Sequence, residues 1–300
     1  MTLPRKVRIV EVGPRDGLQN EPRVLPALLK VELIDRLAGC GLKSVEAGAF
    51  VSPKWVPQMA DSADVMRALV PRDGVGHPVL VPNLRGLEAA LAAGAREVAV
   101  FGAASDTFSQ KNINCSIGES IERFRQVTDA ARAAGIRVRG YVSCALGCPY
   151  EGDVAPKAVA DLTRTLFELG CYEVSLGDTI GVGTPLRVRA LIEAMARRAP
   201  LKKIAVHFHD TYGMAIANVH TALEMGVAIV DAAVAGLGGC PYAPGAAGNV
   251  ATEDVVWLLQ GLGIETGIDL LRLAETGRWI SQQLGRESNS RAGRALMSRC

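Results

Sequence analysis

Two hydrophobic rhythms alternate along the chain. Ala/Leu-rich runs with helical spacing end at a glycine, and each glycine is followed by a short run rich in β-forming residues. Gly41 precedes Lys43-Ser44-Val45-Glu46, and Gly94 precedes Glu97-Val98-Ala99-Val100-Phe101. The pattern returns at Gly135 before 137–142, at Gly170 before 172–176 and at Gly226 before 228–231. A glycine in that place suits the left-handed residue that ends a helix. Strands at 7–12, 78–81 and 204–208 bring the count to eight. Strands that alternate with helices imply βαβ units and a parallel sheet.

Helix starts are marked between the strands. Ser116 with Glu119 forms a capping-box pattern, Thr184-Pro185 reads as an N-cap followed by a first-position proline, and Thr252-Glu253-Asp254 puts acid in a first turn. Eight such units close most economically as an α/β fold of the (β/α)8 TIM barrel type, whose usual size is about 250 residues. A doubly wound sheet with a small second domain is the alternative. The expected organisation is a single catalytic barrel domain over 1–285, with an extra amphipathic C-terminal helix at 269–284, and a basic tail at 286–300. The tail carries Arg286, Arg291, Arg294 and Arg299 and reads as solvated or loosely docked.

Composition narrows the class. Hydrophobic residues at 49% and charged residues at 21% of 300 describe a globular chain with ample core-forming material. A net charge of +2 leaves no dominant surface field, so neither nucleic acid nor a membrane is expected as partner. No run approaches the ~18 apolar residues of a membrane span. The N-terminus enters a strand with no apolar leader, from which a cytoplasmic location is expected. Seven cysteines, an odd number, fit reduced thiols. Cys144 and Cys148 lack a second ligand pair at zinc-site spacing, so no structural zinc is expected there.

In a barrel, function sits at the C-terminal ends of the strands and in the loops that follow. The segment Ala205-Val206-His207-Phe208-His209-Asp210 spends two of the four histidines at one strand end. With side chains alternating, His207 and His209 project together as a possible two-nitrogen metal claw. Taken alone, the pair serves as well for two hydrogen-bonded core histidines. The first strand ends in Arg15-Asp16, the second in Glu46, the fifth near Tyr141 and the sixth in Gly177-Asp178-Thr179. A glycine-rich loop after the eighth carries Cys240 and Asn249. Asp16, His207, His209 and Asn249 make an oxygen and nitrogen set that suits Mg2+ or Mn2+, although imidazole pairs also attract zinc. Singly, Asp16 reads as an Asp-Gly turn, Asn249 as a helix N-cap and Cys240 as a cysteine in a tight turn. His77 and His220 are assigned to structure.

Several segments together carry a family resemblance. Val12-Gly13-Pro14-Arg15-Asp16-Gly17-Leu18-Gln19-Asn20-Glu21, Phe50-Val51-Ser52-Pro53-Lys54-Trp55-Val56-Pro57-Gln58-Met59, Lys111-Asn112-Ile113-Asn114-Cys115-Ser116 and Gly236-Leu237-Gly238-Gly239-Cys240-Pro241-Tyr242 resemble the 3-hydroxy-3-methylglutaryl-CoA (HMG-CoA) lyase family. So do 139–150 and 175–183, and the segments fall in the family's order over about 7–285. The resemblance implies a divalent-metal-dependent carbon-carbon lyase that cleaves HMG-CoA, a substrate of the leucine-degradation type, to acetyl-CoA and acetoacetate. It implies a small-molecule acyl-CoA partner, no organic cofactor and a homodimer. Carried over residue by residue, Asp16, His207, His209 and Asn249 resemble the metal ligands, Arg15 the group that faces the thioester carbonyl, and Cys240 the catalytic thiol. Glu46, Tyr141 and Asp178 fall around the reacting centre. Ser175 falls with the substrate, and Lys111 and Asn112 in the loop that would take the pantetheine or phosphates of CoA, or would merely cap the next helix. The proton acceptor is left open among Asp16, Asp178 and a metal-bound water.

The family pattern usually shows a hydroxyl after the second-strand glutamate, where this chain reads Ala47-Gly48-Ala49. That small run leaves room for the same retro-Claisen cleavage on a longer branched 3-hydroxyglutaryl-CoA of the isohexenyl type. A related Claisen-type acyl-CoA condensing enzyme would share the barrel and the H-x-H claw, but the Gly-Leu-Gly-Gly-Cys-Pro loop favours the lyase. A metal-dependent hydrolase barrel would place H-x-H on an early strand with further histidines and a lysine. A scaffold role would leave Arg15-Asp16, the histidine pair and Cys240 unexplained.

Overall fold

The computed structural model describes residues 3–239 and 248–298. Its strands are β1 Arg8–Glu11, β2 Gly48–Ala49, β3 Val79–Leu80, β4 Glu97–Ala103, β5 Arg137–Ser143, β6 Glu173–Asp178, β7 Ile204–Phe208 and β8 Ile229–Ala232. All pair in parallel in the order β1-β8-β7-β6-β5-β4-β3-β2. The seam between the ends closes just ahead of β2, where Glu11 donates its N–H to Ser44 O at 2.9 Å and accepts from the Glu46 N–H at 2.9 Å. The sheet is therefore a closed barrel, as the alternating pattern predicts. The continuous ladder to β3 is confined to Gly48 and Ala49, while the earlier 43–46 makes single bridges on both sides, Val45 with Glu11 and Ser44 with Gly76.

Helices α1 Ala27–Gly39, α2 Ser62–Ala68, α3 Leu84–Ala92, α4 Asp106–Ile113, α5 Ile117–Ala133, α6 Pro156–Glu168, α7 Pro185–Ala196, α8 Ala215–Glu224 and α9 Thr252–Gly261 accompany the strands. Two more, α10 Leu270–Leu284 and α11 Arg291–Met297, follow the eighth unit. The starts read from the sequence hold: Ser116 and Glu119 form a reciprocal capping box, and Pro185 opens α7 after Thr184. The five helix-ending glycines all have positive φ. At Gly41 a side chain is also excluded by space, because a Cβ would lie 2.2 Å from Gly267 O.

The stretch after 285 differs from a solvated tail. Ser290 caps α11, and Asp254 accepts from Ser290 Oγ and from the Ala292 N–H, both at 2.7 Å. A carboxylate at a helix start satisfies donors that the helix itself leaves open, which is why this arginine-rich segment docks.

Barrel interiors of this fold are usually filled by branched aliphatic layers. Here the register instead places charge in the centre: Arg139 stands beside Glu173, Tyr141 beside Ser175, and His207 beside Asp231. Arg139 donates to Asp231 from Nη1 at 3.0 Å and Nη2 at 2.7 Å, and from Nε to Glu173 at 2.8 Å. Burying a guanidinium is tolerated only with such complete pairing. This polar floor supports the mouth.

Candidate active site

The turn after β1, 13–17, is a single wide, π-type helical turn in which Arg15 is buried and Asp16 half-buried. Arg15 sets both Nε and Nη2 at 2.7 Å from Oε2 of Glu46 and donates from Nη1 to Asp16 Oδ1 at 2.6 Å. Tyr141 donates its hydroxyl to the other Glu46 oxygen at 2.6 Å and accepts from Arg139 at 2.5 Å. The guanidinium of Arg15 also lies 5.4 Å from the Tyr141 ring centre. Glu46 thus locks Arg15 and Tyr141 in one place at the barrel mouth.

The β7 end brings His207 and His209 to the same mouth, their ring centres 5.4 Å apart. His207 Nε2 is 3.9 Å from Asp16 Oδ2, and its Nδ1 is 3.4 Å from Asp231 Oδ2. Asn249 arrives from the far side of the 237–248 loop. It bridges His209 through the backbone, and its Nδ2 donates to Asp16 Oδ2 at 2.9 Å and to Leu237 O at 3.1 Å. The helix N-cap alternative for Asn249 does not hold, since Ala251 precedes α9.

The electrostatics fit a cation. Burial would raise the Asp16 carboxyl, but Arg15, His207 and His209 outweigh it and hold it down at about 2. Burial, with His207 alongside, pushes His209 down to about 4, so its imidazole is neutral near pH 7. Burial works against protonation of His207 too, but contact with Asp231 and the charge of Asp16 raise it overall. One donor atom from each of Asp16, His207 and His209 lies within 4.8 Å of the others, the sole such group among the described residues. His209 Nδ1 is buried without a hydrogen-bond partner. An ionised carboxylate, a neutral imidazole and an unsatisfied buried nitrogen are the donor chemistry of a divalent cation site.

A cavity of about 690 Å3 opens over these groups, lined by Arg15, Asp16, Tyr141, His207 and His209 and extending outward to Gln19, Asn20, Trp55, Lys111, Asn112 and Asn114. Its size is that of a small-molecule site. Lys111 and Asn112 thus face the same space as the metal-competent set, and the Lys111 ammonium stands 4.7 Å from the Tyr150 ring centre. Two anticipated residues are placed elsewhere. Ser175 is fully buried and donates to Asp231 at 2.7 Å, and Asp178 is fully buried and accepts from the Val182 and Gly183 N–H groups at 3.1 and 2.8 Å. Burial pushes Asp178 up to about 6. Cys240 falls outside the described residues; Gly239, just before it, lines the cavity.

Sequence reasoning did not single out Arg139, Asp231, Glu11 or Glu253. A signal exists for the first two: each lies on a strand at an inward-facing alternate position, two residues before Tyr141 in one case and within an otherwise apolar run in the other.

Fold and site together define a (β/α)8-barrel protein with a metal-competent mouth at the C-terminal ends of its strands. The chain belongs to the HMGL-like family, whose model matches residues 6–280. It is 62% identical over 293 residues to hydroxymethylglutaryl-CoA lyase of Pseudomonas mevalonii, covering 98% of this chain and 97% of that protein. It is 59% identical over 294 residues to the mitochondrial hydroxymethylglutaryl-CoA lyase of Bos taurus, covering 98% and 90%. The crystal structure of hydroxymethylglutaryl-CoA lyase from Pseudomonas aeruginosa superimposes with a TM-score of 0.98 at 57% identity, covering 100% of both chains.

Proposed function

We propose that this protein is a divalent-metal-dependent hydroxymethylglutaryl-CoA lyase, cleaving HMG-CoA to acetyl-CoA and acetoacetate. The observation that carries the reading is the meeting of Asp16, His207, His209 and Asn249 beside the fixed guanidinium of Arg15, in a chain that matches named lyases end to end. Cleavage breaks the C2–C3 bond of a tertiary 3-hydroxy acyl thioester. The hydroxyl loses its proton, its carbon becomes the ketone of acetoacetate, and the bond pair moves onto C2 as the enolate of acetyl-CoA.

Asp16, His207, His209 and Asn249 would hold the cation, with Mg2+ or Mn2+ favoured by the mixed oxygen and nitrogen donors. A bound cation supplies Lewis acidity to the hydroxyl and the distal carboxylate. Arg15 places fixed positive charge where the enolate oxygen develops, and Glu46 prevents it from swinging away. Cys240 donates the proton that converts the C2 carbanion to acetyl-CoA. Lys111 and Asn112, on the outer wall of the cavity, receive the CoA portion. A homodimer follows from the family resemblance alone and is checked by light scattering. Relatives include both a bacterial and a mitochondrial protein, and a cytoplasmic setting for this chain follows the bacterial one. Among the described residues no helix is long and apolar enough to cross a membrane.

The deciding experiment is acetoacetate release from HMG-CoA. Turnover that disappears with EDTA and returns with Mg2+ or Mn2+ supports the reading. Turnover indifferent to EDTA, or equal or better cleavage of the isohexenyl thioester, overturns the metal or the narrow substrate respectively.

A further inference from the structure

Two carboxylates with no part in the chemistry above lie buried beneath the mouth. Glu11 ends β1 and Glu253 lies in the first turn of α9; both are fully buried. What answers them is backbone and hydroxyl. Glu11 Oε1 accepts from the Gly13 N–H at 2.8 Å and from the Val234 N–H at 2.9 Å, while its Oε2 accepts from the Thr252 hydroxyl at 2.6 Å. Glu253 accepts the Ala235 N–H on both oxygens, at 3.0 and 2.9 Å.

The partners matter because of where they sit in the chain. Gly13 is two residues before Arg15, Val234 and Ala235 lead into the glycine-rich loop, and Thr252 follows its exit at Asn249. One carboxylate therefore ties the turn that bears Arg15 and Asp16 to both ends of the loop that delivers Asn249. Ala235 needs a second hold, because it is one of three non-glycine residues with positive φ among the described residues, at 58°. The space is reserved for these carboxylates: a Cβ on Gly13 would lie 2.6 Å from Glu11 Oε1, and one on Gly277 2.2 Å from Glu253 Oε1.

We propose that Glu11 and Glu253 are positioning residues of the active site, clamping the Val234–Ala235 turn and the segment from Asn249 to Thr252 onto the first-strand turn so that Asn249 meets Asp16. The inference rests on the metal-dependent reading above for its affinity readout. Both groups act through the hydrogen bonds they accept. Burial pushes Glu11 up to about 7 and Glu253 to about 8, so near neutral pH the pair already carries a proton. An isosteric amide therefore replaces Glu11 with little loss: its oxygen keeps Gly13 and Val234, and its NH2 donates to the Thr252 hydroxyl.

The test titrates Mn2+ into the full-length Glu11→Ala, Glu11→Gln, Glu253→Ala and Thr252→Val proteins, with kcat, KM and amide exchange of the 233–238 segment measured alongside. Expected are Mn2+ affinity and kcat lowered about tenfold or more in Glu11→Ala and Glu253→Ala, in the range that lost outer-layer partners cost at metal sites. KM for HMG-CoA changes less than kcat, the Val234 and Ala235 amides exchange faster, and Glu11→Gln recovers to within about threefold. Folded alanine variants with native Mn2+ affinity, kcat and exchange overturn the clamp, as does a Glu11→Gln protein as impaired as Glu11→Ala. Should the alanine variants not fold, Thr252→Val decides: slower turnover with faster exchange at Val234 supports the clamp, and native behaviour overturns it. A native chain that binds no Mn2+ removes the metal reading instead, and amide exchange and kcat then judge the clamp.

Discussion

Asn249 donates its side-chain amide to Asp16 across 2.9 Å, although 233 positions separate the two in the chain. The contact closes the barrel mouth between the loop after β1 and the loop after β8. It places an amide group against an ionised carboxylate, next to two imidazoles.

His209→Ala removes one nitrogen from that set. Its imidazole is neutral near pH 7 and its Nδ1 has no hydrogen-bond partner in the fold, so little stability is lost with it. Mn2+ affinity, measured by titration, falls by more than the ~10–100-fold that loss of an outer-layer partner costs. Unchanged affinity would take His209 out of the ligand set.

Arg15→Lys keeps the charge and loses the fork. The guanidinium spans Glu46 and Asp16 simultaneously, at 2.7 and 2.6 Å, and a lysine reaches one partner at a time. If this cation faces the developing enolate oxygen, kcat falls about 100-fold or more while Mn2+ binding changes little. A variant within threefold of the native rate, by the same acetoacetate assay, would assign Arg15 to structure (roughly the scale of a surface change).

Much of this was legible in the sequence. The eight strands follow from short β-rich runs separated by helical spacing and glycine, a signal carried locally by each segment of the chain. Asp16, His207 and His209 were legible as polar residues at or just after strand ends, and Asn249 as a carboxamide in the loop after the eighth strand. Arg139 and Asp231 were not, because a charge inside an apolar run looks the same whether it faces solvent or a partner three strands away. Glu253 shows the ambiguity most plainly: it reads as an acid favouring the start of α9, yet it turns inward to Ala235, while its neighbour Asp254 turns outward and caps α11. That outward turn is also why the arginine-rich end folds back onto the barrel, which composition alone could not indicate.

The Arg139–Asp231 pair is the centre of the polar floor, with both side chains fully buried. Asp231→Asn removes the charge that answers the guanidinium and leaves Glu173 as its remaining carboxylate, so urea unfolding should show a loss of about 3–5 kcal/mol. His207 and Ser175 also lean on Asp231, so Mn2+ affinity should weaken in the same variant. A loss under about 1 kcal/mol would mean that the floor relaxes around the change.

Cys240→Ser tests the proton donor separately from the metal. Serine keeps the shape but replaces the thiol with a hydroxyl, a far weaker acid, so proton delivery to C2 slows while the Asp16, His207, His209 and Asn249 set is untouched. Turnover should fall by about 100-fold or more, with Mn2+ affinity within about twofold of native, because the thiol is assigned to the proton and not to the cation. A near-native rate would demote the thiol.

The raised carboxyls at Glu11 and Glu253 also set a pH dependence of stability. Their folded values, about 7 and about 8, lie above the ordinary 4.5. The folded protein therefore holds protons that the unfolded chain releases, and the stabilisation this provides is complete below about pH 4.5 and lost as pH rises through about 7 to 8. Other groups titrate in the same range: Asp178 is raised to about 6 and adds to the trend, while the lowered His209 opposes it. The difference between native protein and Glu253→Gln isolates Glu253. Urea unfolding free energies should converge with the variant's, or fall below them, on going from about pH 5 to about pH 8.5, because the amide has no proton to lose. Parallel curves across that interval would mean that Glu253 is ionised in the fold at neutral pH, with a neighbour supplying its counter-charge.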